Sequence, residues 1–219
     1  MVSLTNQSKI LTEIRAAGWG QLDPVDTSDP DDFLLDLISS CFQPVTHFRN
    51  PMIMDLRPKR WMDPSSYAGF ARVPMHTDRA YVPRPPRYIV MMCVVPDEGG
   101  DPEVADGGEA LAMLDEDVRR ELHERQFDFR QAADSSCVGF SGPILTPEKI
   151  RFRRDLLPWH AGSAVAQFAR ALRRCTRRLV VQPGSIWIVD NYRVLHGRTA
   201  LRRRNASKRH FKRMYAEDR

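Results

Sequence analysis

The spacing of apolar positions divides the chain into a helical start, a long middle of short strands, and a helix–strand finish. Lys9–Ala17 and Ser28–Phe42 have helical character. The second is predicted to open at Ser28-Asp29-Pro30-Asp31, where a capping side chain, an early proline and early acids coincide. Its apolar residues Phe33, Leu34, Leu37, Ile38 and Cys41 recur with the 3.6-residue period. From about Gln43 to Val95 the texture changes to short β-like runs broken by prolines. Tyr88–Val95 (YIVMMCVV), bounded by Pro85-Pro86 and by Pro96-Asp97-Glu98-Gly99-Gly100, reads as a buried strand. Asp115–Arg125 reads as a short charged helix and Ser163–Leu179 as a stronger one. In the latter, Val165, Phe168, Leu172, Cys175 and Leu179 share a face, with Arg170, Arg173, Arg174, Arg177 and Arg178 elsewhere. Val180–Val189 is predicted as strand, turn and strand around Pro183-Gly184, and Phe211–Tyr215 as a last strand. Many short strands with few helices predict a mainly β fold with flanking helices, a sandwich or barrel.

Composition narrows the class. The 219 residues, 42% hydrophobic and 28% charged, suit one soluble domain spanning 1–219, and no repeat or linker divides it. The longest apolar run is Tyr88–Val95, far short of the roughly 20 residues of a membrane span, so no membrane partner is expected. The opening MVSLTNQSK has no secretory apolar core, and a cytoplasmic location is the expectation. Cys41, Cys93, Cys137 and Cys175 are scattered without a C-x-x-C pair, which excludes a zinc ribbon and points to reduced, buried thiols. Charge is asymmetric: residues 151–219 carry 18 Lys/Arg against 4 Asp/Glu, and residues 1–150 carry 15 against 24. A basic C-terminal third suits nucleic acid, an acidic protein, an anionic small molecule or plain solvent.

The chemistry starts at His76-Thr77-Asp78. In a strand, residues two apart share a face, so this imidazole and carboxylate can reach one point. One more histidine completes the 2-His-1-carboxylate triad of non-haem Fe(II) oxygenases. His47, His123, His160 and His210 lie among charged, aromatic or loop-like residues that fix no orientation. His196 follows the strand Ile186–Val189 within DNYRVLHGRTAL (Asp190–Leu201), where Gly197 lets the backbone pass close to a ligand.

MHTDRAY, followed far downstream by QPGSIWIVDNYRVLHGRTAL, resembles the Fe(II)/2-oxoglutarate-dependent dioxygenases of the taurine dioxygenase and clavaminate synthase type, over roughly Gly69 to Tyr215. The resemblance implies a double-stranded β-helix (a cupin-like jelly roll) with His76, Asp78 and His196 on Fe(II). It also implies 2-oxoglutarate as cosubstrate, O2 as oxidant, and an arginine on the last strand for the far carboxylate of 2-oxoglutarate. Arg213 is the expected partner, with Arg209 four residues before it in the family's R-x-x-x-R spacing. The planar guanidinium fork suits a carboxylate. The family's GG-x-T threonine is missing: Pro102 stands there, with neither hydroxyl nor N–H. A carboxylate at Asp78, where halogenating relatives have a small residue, implies hydroxylation or another oxidation such as desaturation.

Tyr81, Arg84, Arg87 and Arg198 are the candidate substrate-binding residues. They suit a small carboxylate-bearing molecule, such as an amino acid or a biosynthetic intermediate. The basic helix offers a second possibility, an acidic carrier protein presenting a tethered substrate. A rival reading is a nucleic-acid demethylase of the AlkB kind, with Arg202-Arg203-Arg204, Lys208 and Arg209 on phosphates. No aromatic-rich base-stacking segment supports it. A third reading is a barrel that binds without catalysing. The sequence leaves the number of assembled chains open.

Overall fold

Two antiparallel sheets face each other with helices on both outer sides, in a computed structural model that describes residues 4–46, 50–58, 69–130, 139–202 and 208–219. Helix α1 (Leu4–Ala17) turns through Gly18 into β1 (Trp19–Leu22). Helix α2 (Pro30–Cys41) is capped by Asp29 rather than Ser28, its carboxylate accepting from the Asp31 and Asp32 amides. Strands β2 (Gln43–Val45), β3 (Ile53–Leu56), β4 (Val73–His76), β5 (Tyr88–Val95) and β6 (Pro102–Asp106) follow. Helices α3 (Gly107–Ala112) and α4 (Glu116–Glu124) lead to the pair β7 (Phe127–Arg130) and β8 (Gly139–Gly142). Then come a 3-10 turn at Arg154–Leu156, α5 (Ala164–Cys175), β9 (Arg177–Arg178), β10 (Ile186–Asp190), β11 (Val194–Arg198) and β12 (His210–Glu217). No described helix is long and apolar enough to cross a membrane.

The larger sheet runs β1-β10-β5-β12-β2, with β3 also on β12; the smaller runs β4-β11-β6-β9. Between them Ile89, Cys93, Trp187, Val189, Phe211 and Tyr215 meet Val104 and Val194. On the outer face of the larger sheet, Val90, Met92, Ile186, Ile188 and Met214 pack against Ile10, Leu34, Leu37 and Ile38 of α1 and α2. On the outer face of the smaller one, Met75, Ala105 and Leu195 pack against Val165, Phe168 and Leu172 of α5. Alternate residues of each central strand therefore enter different cores. This is why β5 is apolar almost throughout.

Tertiary pairing overrides two expectations. The helix predicted to Leu179 stops at Cys175, because Arg177 and Arg178 pair with Val104 and Glu103 as an edge strand. Leu179 is then buried between the sheets, its amide donating to the Pro102 carbonyl at 2.9 Å. The strand expected at Val180 is absent: Val180 is 87% exposed, and only the turn at Pro183-Gly184 and the strand after it form. Strands β1, β6, β7 and β8 and helix α3 were not foreseen; α3 starts on the Gly107-Gly108 pair because Asp106 caps it. Cys41, Cys93 and Cys175 are free thiols, and Cys137 lies outside the described residues.

The contact that positions the site is β4 against β11. A Cβ at Gly197 would lie 2.7 Å from the Val73 carbonyl oxygen and 3.2–3.3 Å from Pro74 and Met75 backbone atoms. The glycine thus admits a neighbouring strand rather than a ligand, and it sets His76 directly opposite His196. Gly197→Ala must push two backbones apart, and we expect a loss of about 1–3 kcal/mol, read from urea unfolding.

Candidate metal centre

His76 is the last residue of β4 and His196 the middle of β11; the two are register partners with ring centroids 4.4 Å apart. Asp78 lies beyond the strand, so the same-face argument for His76 and Asp78 does not hold in its simple form. Hydrogen bonds bring the carboxylate round instead. The Thr77 amide donates to the Phe152 carbonyl (2.8 Å) and the Phe152 amide to Thr77 Oγ1 (3.0 Å). Buried Asn191 grips the next peptide: its Oδ1 accepts from the Asp78 amide (2.8 Å), and its Nδ2 donates to the Asp78 and Pro86 carbonyls.

Asp78 Oδ1 then lies 3.3 Å from His76 Nε2 and 3.7 Å from His196 Nε2. One ligand atom from each of the three residues falls within 4.8 Å of the others. His76 Nδ1 donates to the Pro74 carbonyl at 2.9 Å, which leaves the Nε2 lone pair turned to the cluster. Burial, then the neighbouring His196, lowers the His76 pKa and favours the neutral ring a metal requires. Burial alone would raise the Asp78 carboxyl. The Arg213 charge, with the two neighbouring histidines adding to it, nevertheless holds it well below the usual carboxylate range. Two imidazoles and one ionised carboxylate, all aimed at one point, fit a divalent transition metal.

The other carboxylate oxygen is also held. Asp78 Oδ2 accepts from Arg213 Nη1 and from the Tyr215 hydroxyl, both at 2.9 Å. Farther along the inner faces lie two buried cations. Arg198 projects on the same side of β11 as His196 and donates to the carbonyls of Gly69 and Thr199. Arg209 stacks on Phe211 at 3.7 Å, beside Gly100. Burial, with Arg198 adding to it, pushes Arg209 down to about 9; burial pushes Arg198 down to about 10. Arginine keeps its proton, so an anion rather than proton loss is what relieves such a pair.

Other sequence candidates fall elsewhere. Arg84 is exposed, and Arg87 is ion-paired with Asp190 and Asp218. The Tyr81 hydroxyl accepts from Arg79 Nη1 at 2.7 Å. Pro102 opens β6 opposite Arg198. Arg202 and Lys208 are exposed while Arg209 is buried, and His47, Arg203 and Arg204 lie outside the described residues. His123 and His160 stand apart from the cluster, and His210 contacts Asp55 (2.5 Å). Of the arginines expected on a basic helix, Arg177 and Arg178 lie in β9, where Arg177 pairs with Glu109 and Arg178 lies 3.5 Å from Asp101, and Arg173 and Arg174 of α5 are exposed. Tyr215 and Asn191 had gone unassigned. Tyr215 was findable, since it stands two residues beyond Arg213 and so shares its face.

A family model described as "Taurine catabolism dioxygenase TauD, TfdA family" matches residues 35–138 and 146–215. Clavaminate synthase 2 of Streptomyces clavuligerus is 27% identical over 148 residues, covering 57% of this chain and 43% of that protein. Gamma-butyrobetaine dioxygenase of Pseudomonas sp. (strain AK-1) is 30% identical over 189 residues, covering 76% and 48%. The chain thus spans less than half the length of the curated relatives it matches. Asparagine oxygenase, solved with Fe(II), 2S,3S-3-hydroxyasparagine and succinate, has the same fold. Its TM-score is 0.77 at 17% identity, covering 98% of this chain and 79% of that one.

Tyr215→Phe removes one of the two donors on Asp78 Oδ2 and leaves the packing. We expect Fe(II) affinity to fall roughly 10–100-fold in an anaerobic titration, the usual effect of losing a partner that orients a ligand.

Proposed function

Because the chain belongs to the taurine catabolism dioxygenase TauD, TfdA family, we propose that it is an Fe(II)- and 2-oxoglutarate-dependent oxygenase that hydroxylates a C–H bond of a small carboxylate-bearing molecule. The observation that carries the reading is the convergence of His76, Asp78 and His196, one ligand atom of each lying within 4.8 Å of the others. These three would hold Fe(II), as a 2-His-1-carboxylate donor set suits. Iron bound there supplies the O2 chemistry that no side chain of the site possesses. The two facing sheets are read as the double-stranded β-helix that the family uses.

The chain's own residues place the reactants. The Pro74 carbonyl fixes the His76 tautomer, and Arg213 with Tyr215 keeps Asp78 Oδ2 occupied, so that Oδ1 faces the metal. We assign the far carboxylate of 2-oxoglutarate to Arg209, with Arg198 beside it, rather than to Arg213. Arg213 is engaged with a ligand oxygen, whereas Arg209 and Arg198 are buried cations whose charge an anion would offset. Arg198, facing Pro102 across the ladder, also supplies a polar group where the family threonine is lost. Tyr81, joined through Arg79 to the site, stays on the substrate side; Arg84 and Arg87 do not. An amino-acid substrate is supported by the asparagine oxygenase fold match and by the inner cations. Burial of Arg209 weakens the nucleic-acid reading, because one of its phosphate contacts faces inward.

The test is succinate formation after O2 is admitted to protein holding Fe(II) and 2-oxoglutarate, across a panel of amino acids. Turnover should appear in the parent protein and vanish in His76→Ala. Arg209→Met should raise the half-saturating 2-oxoglutarate concentration roughly 100-fold, about 3 kcal/mol, without lowering the stability of the unliganded protein. A parent protein that makes no succinate contradicts the proposal.

A further inference from the structure

Arg151 has no part in the chemistry above, yet its side chain is one of the few charged ones buried in the molecule, at 3% exposure. Its contacts are unusual for a buried cation. Nη1 donates to the carbonyls of Ala80 (2.6 Å) and Val82 (2.5 Å), and Nη2 to the carbonyl of Pro83 (3.1 Å). The guanidinium lies over the Phe140 ring at 3.8 Å. Burial pushes it down to about 10. A buried charge held by neutral carbonyls and a ring does not maximise stability. It suits holding in place a backbone that cannot hold itself.

The gripped segment fits that description. Residues 79–83 leave the metal cluster directly after Asp78, outside any strand. They begin at Arg79, the one non-glycine with positive φ among the described residues, at +57°. A branched or long side chain in this region is strained unless its surroundings hold it. The turn has one internal backbone bond, from the Val82 amide to the Arg79 carbonyl at 3.0 Å. The backbone of Arg151 is itself fixed beside the metal ligands: its amide donates to the Ile144 carbonyl, Phe152 pairs with Thr77, and Arg153 bridges to His76. One short strip therefore joins both halves of the site, through its backbone to His76–Asp78 and through the Arg151 fork to the turn. Three carbonyls arrayed in an arc need several coplanar donors, which arginine has and lysine lacks.

We infer that Arg151 is a positioning residue: a carbonyl clamp that holds the 79–83 turn, and with it Arg79 and Tyr81, in a fixed place beside the metal centre. The functional half of this statement rests on the oxygenase reading; the clamp itself does not. It is tested by amide exchange of the full chain in Arg151→Met and Arg151→Lys. The amides of residues 79–82, Val82 above all, should exchange roughly tenfold faster or more in both, while β5 and β10 keep their protection. Fe(II) affinity should stay within about twofold, because the ligands keep their own hydrogen bonds. Arg151→Ala leaves a guanidinium-shaped gap, and millimolar guanidinium should restore protection to residues 79–82 alone. Unchanged exchange of residues 79–82, or a loss spread equally over β5 and β10, overturns the clamp. A parent protein that neither binds Fe(II) nor forms succinate overturns the oxygenase reading and leaves the exchange result standing.

Discussion

Everything in the site depends on how closely β4 and β11 approach. Two histidines from strands 120 residues apart in the chain become direct partners because Gly197 presents no side chain to the backbone of Val73–Met75. The approach sets the distance between the two nitrogens before any metal arrives. Asp78 is placed by different means, a turn pinned by Asn191 and by the Phe152 strip. The histidines thus inherit their positions from the sheet, and the carboxylate inherits its position from buried hydrogen bonds. Such a site is preorganised at the expense of stability, since each buried polar group needs a partner.

Charge follows the same logic. The space between the sheets holds one carboxylate from the metal cluster and three arginines, Arg198, Arg209 and Arg213. Asp78 accounts for Arg213. Arg198 and Arg209 lie apart from that pair, both buried, and Asp97 and Asp101 act on Arg209 through their charge. The basic surface of the C-terminal third is a separate matter, since its exposed arginines pair with acids or face solvent.

Much of this was legible in the residues. Strand Tyr88–Val95 was found to its ends because prolines and glycines bracket an apolar run. His76, Asp78 and His196 were legible as a candidate cluster because the H-x-D triplet and the HGR phrase occur in order, and the structure brings the three together. What failed has physical reasons. Leu179 continues the apolar stripe of α5, and only the pairing of Arg177 and Arg178 with β6 ends the helix early. Arg209 stands just before β12 and Arg213 within it, and spacing alone does not say that Arg213 donates to Asp78 while Arg209 stacks on Phe211. The pairing of Arg87 with Asp190 and Asp218 joins residues far apart in the chain, and no spacing announces it. Arg151 carries no sequence signal at all; its role exists only in the three carbonyls folded around it.

The central claim is that one metal ion sits between His76, Asp78 and His196. Anomalous diffraction at the iron edge, from crystals grown anaerobically with Fe(II) and 2-oxoglutarate, tests it most directly. The account predicts one peak about 2.0–2.2 Å from His76 Nε2, Asp78 Oδ1 and His196 Nε2, with Asp78 Oδ2 still on Arg213 and Tyr215. A peak elsewhere, or no peak with the three side chains in the arrangement described, would contradict it.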